Sequence, residues 1–344
     1  MNEKAKQIET IEGRWFSADR PVRMRERDRL GRRQFAEAIA KAVGAWRGQD
    51  SLVIGLYGPW GTGKSSIKNM AIEVIKENKD NPVIIAEFNA WEFANRDRLT
   101  ESFFDQIGIS LDRGTIGSQK QRKTVVLEKW RRYATYFQAS GAILEILRKP
   151  LKWILLITGV FLTGSLMFAS FWVSIAMGLV MMVSGGLLFS AKIAESVTKF
   201  LQVSVEVGRK TLEEVKQELA LELAGLTAPL LIILDDLDRL TPEELQLMFQ
   251  LIKVNADFPN MVYLALFDRG AVEKNIEKIL EVNGRDYIEK IVQVGFDVPA
   301  IERQRLQKMF FEGLDATMAD ERVLKRFNPQ RWGESISWCF ARLF

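Results

Sequence analysis

LVIGLYGPWGTGKSS, residues Leu52–Ser66, is the stretch whose reading decides the fold. An apolar run leads into Gly58-Pro59-Trp60-Gly61-Thr62-Gly63-Lys64-Ser65, a full match to G-x-x-x-x-G-K-[ST]. The pattern calls for a buried strand before the loop and a helix after it, and Ser66–Lys76 supplies apolar spacing for that helix. The chemistry explains the spacing. Glycines let the backbone curl until its N–H groups converge on phosphate oxygens, and the helix start adds its positive end. Gly58, Pro59, Trp60, Gly61, Thr62, Gly63, Lys64, Ser65 and Ser66 are therefore the candidate nucleotide-binding residues. Lys64 is placed to reach the terminal phosphates and Ser65 to ligate Mg²⁺.

The second half of such a site is expected at LLIILDDLDRL, Leu230–Leu240. Its leading aliphatic residues read as a fully buried strand, with Asp235 and Asp236 at the C-terminal end. Asp235 is the candidate Mg²⁺ ligand and Asp236 the candidate group that orients or deprotonates the attacking water. Arg239 either completes a neighbour's site in trans or pairs with Asp238. Two more buried strands are expected at Pro82–Phe88 and Met261–Phe267. After the first come Asn89 and Glu92, which either position water or an ion or form a turn beside two packing aromatics. After the second comes Asp268, either a sensor of the terminal phosphate or a helix cap. Helices are expected at Phe35–Trp46, Leu99–Ile109, Val203–Leu223, Pro242–Val254, Ala271–Leu280, Glu302–Phe311 and Glu321–Arg326. Asp286–Val298 reads as a short helix passing into a strand. Thr241 and Glu244 have capping-box spacing.

Trp153–Ala191 carries no charge between Lys152 and Lys192. It is nearly twice as long as the ~20 residues that one spanning helix needs. The expectation is two transmembrane helices, about 153–169 and 172–191, with the lipid bilayer as partner. If one site joins the flanks, both lie on the same side. Basic residues at Lys149, Lys152, Lys192 and Lys199 favour the cytoplasmic side of an inner membrane for the termini and the folded domain. The small residues within the run suit close helix contact or a homo-oligomer.

Composition narrows the chemistry. The chain has 344 residues, 47% of them hydrophobic, and a formal net charge of +4. That is enough for a sizeable core, and it implies no nucleic-acid partner. There is no histidine and one cysteine, Cys339. Histidine acid–base chemistry, Ser-His triads and Cys-cluster metal sites are excluded. The N-terminal residues lack the apolar core of a signal peptide. The arginine-rich Arg20–Arg33 segment reads either as a contact to nucleotide, phospholipid or subunit, or as a solvated, ion-paired stretch.

GLYGPWGTGKSS, EFNAWEF (Glu87–Phe93), LIILDDLDRLTPEE (Leu231–Glu244), VYLALFDR (Val262–Arg269) and DYIEKIVQVGFDVP (Asp286–Pro299), with the hydrophobic insert, together resemble the KAP family of membrane-associated P-loop NTPases, a STAND/AAA+-like branch. The resemblance implies an α/β three-layer P-loop sandwich with a mostly parallel sheet, interrupted by a transmembrane helical hairpin and followed by a short C-terminal helical region. It divides the chain into a polar, basic segment (1–34), the first part of the NTPase domain (35–124), a helical insert (125–223), the second part (224–299) and a helical end (300–344). It implies Mg²⁺-dependent ATP or GTP hydrolysis driving assembly at the inner membrane face, with a link to phage exclusion, or else a nucleotide-binding membrane scaffold with little turnover. It also implies a nucleotide-reporting arginine, for which Arg331 in Asn328-Pro329-Gln330-Arg331 is the shifted match. The chain stops soon afterwards, so either a separately encoded effector works with it or the chain is a shortened relative.

Overall fold

The structure is a computed structural model describing residues 20–47, 49–93, 96–113, 124–138, 211–318, 328, 330–331 and 333–334, with backbone only at 96–98 and 314–318. In chain order the helices are α1 (Arg33–Ala45), α2 (Lys64–Glu77), α3 (Arg96–Arg113), α4 (helical over 124–138), α5 (Leu212–Ala224), α6 (Pro242–Asn255), α7 (Arg269–Leu280), α8 (Gly284–Glu289) and α9 (Arg303–Met318). The strands are β1 (Leu52–Tyr57), β2 (Ile84–Asn89), β3 (Leu230–Asp235), β4 (Met261–Phe267) and β5 (Val294–Asp297). The chain groups into two compact units, Met1–Ala42 with Tyr57–Asp80 and Asp297–Phe344, and Val43–Leu56 with Asn81–Phe296.

The larger unit is built on a mostly parallel sheet in the order β2-β3-β4-β1-β5. β2 with β3 and β3 with β4 are parallel, in a register that sets Asn89 opposite Asp235 and Leu234 opposite Ala265. Every residue of β3 and β4 is buried. Continuous aliphatic runs are what a strand covered on both faces requires. The sheet is flanked by helices: α3 packs on β2, and α6 packs on α3 and α7. Phe88 with Phe103, Phe103 with Phe104, Phe104 with Tyr133 and Tyr133 with Phe258 pack edge to face, Trp130 lies tilted against Phe104, and its indole N–H donates to Phe104 O at 2.9 Å. Helix starts follow their caps. Thr211 with Glu214 and Thr241 with Glu244 form reciprocal capping boxes. Buried Asn260, at φ +63°, donates its side-chain N–H to Leu223 O, Leu226 O and Ala228 O, tying the end of α5 to the start of β4.

In the smaller unit the Arg20–Arg33 segment lies along α2. Val22 N–H donates to Ser66 Oγ at 3.0 Å, and Asn69 donates to Val22 O. Arg25 pairs with Glu37, Glu73 and Glu77, and Arg29 pairs with Glu312. Arg25 and Arg29 of this arginine-rich stretch are thus ion-paired.

Two expectations are corrected. The transmembrane hairpin, about 153–169 and 172–191, lies outside the described residues, and among the described residues no helix is long and apolar enough to cross a membrane. The fold class is therefore an α/β fold with a mostly parallel sheet and flanking helices, and no transmembrane hairpin is supported. Membrane anchoring of the domain, the lipid bilayer as partner and the inner-membrane location are therefore not supported either, and the run from which a homo-oligomer was read lies outside the described residues. The physical reason is that hydropathy reports only a preference for leaving water and does not by itself identify a bilayer. The second correction concerns boundaries. α3 and α9 extend beyond the expected ranges, and α2 begins at Lys64 inside the loop motif rather than at Ser66. The expected helical positions 203–210 and 321–326, and Cys339, are outside the described residues.

Candidate functional site

The glycine loop belongs to the smaller unit. Gly61 and Gly63 stand at φ +80° and +88°, the left-handed region that side chains disfavour. Gly58 needs to be glycine for another reason: a Cβ there would lie 2.6 Å from Thr62 Oγ1 and 3.2 Å from Val298 Cγ2. Thr62 Oγ1 donates to Pro59 O at 2.7 Å and closes the loop. Gly63 caps α2 with no side-chain bond to the helix amides. Lys64 is buried, and its ammonium donates to Gly58 O at 2.8 Å and Pro59 O at 3.3 Å. The cation is thus held on the loop's own carbonyls. Ser65 is half-buried, and Trp60 is exposed. The Ser66 hydroxyl accepts from Val22 N–H and ties the N-terminal segment to α2.

The acidic motif belongs to the larger unit. Asp235 ends β3 and is buried, and its Oδ1 accepts from Asp236 N–H at 3.0 Å. Asp236 then turns into the left-handed region at φ +58°. Arg239 Nε lies 2.9 Å from Asp236 Oδ1, and its guanidinium stands 5.5 Å from the Trp91 ring centroid. The intramolecular ion pair thus falls on Asp236, where the sequence reading named Asp238. The physical reason is the 3₁₀ turn Leu237–Arg239, in which positions three apart eclipse. Burial raises the Asp236 carboxyl above its usual range, as do the Asp235 and Asp238 charges. Arg239 and a hydrogen bond from Asn89 oppose the rise. Asn89 also donates to Glu92 Oε1 at 3.1 Å. Asn89, Glu92, Trp91, Asp236 and Arg239 therefore form one polar cluster at the C-terminal ends of β2 and β3, the edge where open α/β sheets place ligands.

Asp268 follows β4 and caps α7, its carboxylate accepting from Ala271 N–H at 3.1 Å. Its helix-capping alternative is thus realised in the structure. Arg331 is exposed, and its backbone N–H donates to Asn328 Oδ1 at 3.1 Å. Sequence reasoning missed Arg32. It is 5% exposed, with its guanidinium on Thr62 O and Pro299 O. Nothing in a run of arginines singles out the one that turns inward.

Among the described residues no group of three or more His, Cys, Asp or Glu is arranged to hold a metal ion. The donors suit a cation that keeps phosphate and water ligands and takes one or two from protein, which is the habit of Mg²⁺.

A buried strand, a left-handed glycine loop, a lysine on the loop carbonyls and a helix start with no side-chain cap define a P-loop nucleotide-binding domain of the α/β class. Within that class the chain belongs to the KAP family: the KAP family P-loop domain matches residues 32–331. The Phage T7 exclusion protein of Escherichia coli (strain K12) is 23% identical over 290 residues, covering 84% of this chain and 36% of that protein. The solved Aeropyrum pernix ORC1 protein in complex with DNA is 12% identical with a TM-score of 0.34, over 84% of this chain and 48% of that one. The Aeropyrum pernix ORC2 protein (ADPNP-ADP complexes) is 15% identical with a TM-score of 0.33, over 81% of this chain and 50% of that one. The chain thus spans about a third of the curated relative's length and half that of the solved chains. The end of this sequence is consequently no guide to a separately encoded effector, and that expectation is dropped.

Proposed function

We propose that this domain binds a magnesium-bound nucleoside triphosphate and hydrolyses its terminal phosphate. The observation that carries the reading is the loop Gly58–Ser65, with Gly61 and Gly63 left-handed and the Lys64 ammonium drawn onto the loop carbonyls. Incoming phosphate would replace those carbonyls as the partner of Lys64. Backbone N–H groups of the loop and of the first turn of α2 would hold the phosphate oxygens. Ser65 and Asp235 are the residues assigned to Mg²⁺, which when bound offsets charge on the phosphates.

In the hydrolytic step, the water oxygen bonds to the terminal phosphorus and the bond to the bridging oxygen breaks. The water proton passes to Asp236. Arg239 on Trp91, and the Asn89 amide, hold that carboxylate in place. Arg331 is assigned as a group that responds to the terminal phosphate.

Phosphate release measured with and without Mg²⁺ tests the reading. The wild-type chain is expected to turn over only with Mg²⁺, and Lys64→Ala to lose activity. Asp236→Asn should keep nucleotide binding while hydrolysis falls at least about a hundredfold, the usual scale of acid–base assistance. Normal turnover by Lys64→Ala would refute the assignment.

A further inference from the structure

We infer that Arg32 is a positioning residue that holds the phosphate-binding loop in its nucleotide-ready shape; this rests on the nucleotide reading above. The turn before α1 aims it. Asp28 Oδ1 accepts from Leu30 N–H and Gly31 N–H, both at 3.0 Å, and Asp28 Oδ2 accepts from Arg33 N–H at 2.7 Å. Gly31 takes φ +75° to complete the turn. Arg32 then points inward. Nη1 donates to Thr62 O in the loop, and Nη2 donates to Pro299 O at 3.1 Å after β5. One guanidinium thus joins the loop to the chain that follows the edge strand.

The bond to Thr62 O has a consequence for phosphate. Thr62 C=O and Gly63 N–H belong to one trans peptide, so they point in opposite directions. Drawing the carbonyl toward Arg32 turns the Gly63 N–H away from it, on the side where an anion would be gripped. Gly63, at φ +88°, leaves room for this contact: a Cβ there would lie 2.6 Å from Arg32 Nη1 and push the guanidinium aside. Arg32 Nε is buried and has no hydrogen-bond partner among the described residues. The cost of burying that donor is accepted where the fork's other two nitrogens are placed. Lysine keeps the charge but cannot reproduce a planar fork reaching two carbonyls.

The test uses the full chain with a fluorescent ATP analogue and Mg²⁺. Arg32→Ala should weaken binding about tenfold, raise KM and leave kcat close to wild type, since the loop is misset before chemistry begins. Arg32→Lys should recover part of the affinity. A folded Arg32→Ala protein with wild-type affinity, or with kcat lost and affinity kept, overturns the inference. Amide hydrogen exchange over 58–66 without nucleotide reads the loop directly. Faster exchange there in Arg32→Lys, with α2 beyond its first turn unchanged, supports the role, and unchanged exchange contradicts it. That readout decides the matter if Arg32→Ala does not fold. It also separates failure of this inference from failure of the nucleotide reading, which Lys64→Ala tests alone.

Discussion

At the residue scale, single polar groups do specific jobs because each is buried with fixed partners. Asn260 is the clearest outside the site. Its side chain serves three carbonyls, its backbone N–H donates to Gln49 O at 2.8 Å, and its backbone is left-handed. Asn260→Ala is expected to lower unfolding free energy by about 1–3 kcal/mol for the orphaned carbonyls, and about 1 kcal/mol more for a left-handed alanine. Asn260→Gly should recover the second part only. Urea unfolding of the two variants checks this, and a loss below about 0.5 kcal/mol for Asn260→Ala would refute it. Asp236 shows why partners are hard to read in sequence. DDLDR offers Arg239 three acids, and backbone geometry selects the one three positions back. Arg32 was hidden for a similar reason: its partners lie 30 and 267 positions away.

At the element scale, local patterns were legible wherever one force dominates. MVYLALF reads as a buried strand and is β4, residue for residue, because a fully apolar run has no polar face to present to water. Thr241 and Glu244 read as a capping box and form one. Thr241→Ala should cost about 1 kcal/mol, with Thr241→Ser near neutral, measured by thermal or urea unfolding. If Thr241→Ala matched wild type, the cap would be idle. The aromatic packing around α4 carries more. Trp130 is fully buried and touches Phe104, Tyr133 and Phe258. Trp130→Ala is expected to cost about 3–5 kcal/mol. A smaller loss, below about 1.5 kcal/mol, would mean the site collapses around the deletion. Helix ends were less legible. α2 starts at Lys64 because the loop's left-handed Gly63 is itself the cap, a role that apolar spacing does not encode.

At the scale of the whole molecule, motif order pointed to an α/β P-loop domain, and the structure has a mostly parallel sheet in the order β2-β3-β4-β1-β5, with the glycine loop directly after β1. Strand order itself was not legible, since each strand is an apolar run with no mark of its neighbours. The inserted membrane hairpin, read from an uncharged run with basic flanks and from the family resemblance, is not supported: among the described residues no helix is long and apolar enough to cross a membrane. The nucleotide site rests on more, because glycine conformation, lysine placement and family membership agree. Equilibrium binding of MgATP to the wild-type chain and to Lys64→Ala tests that claim most directly. Saturable binding by wild type, weakened at least about tenfold by Lys64→Ala, is the predicted result. Equal affinity in the two proteins, or no binding by wild type, would contradict it.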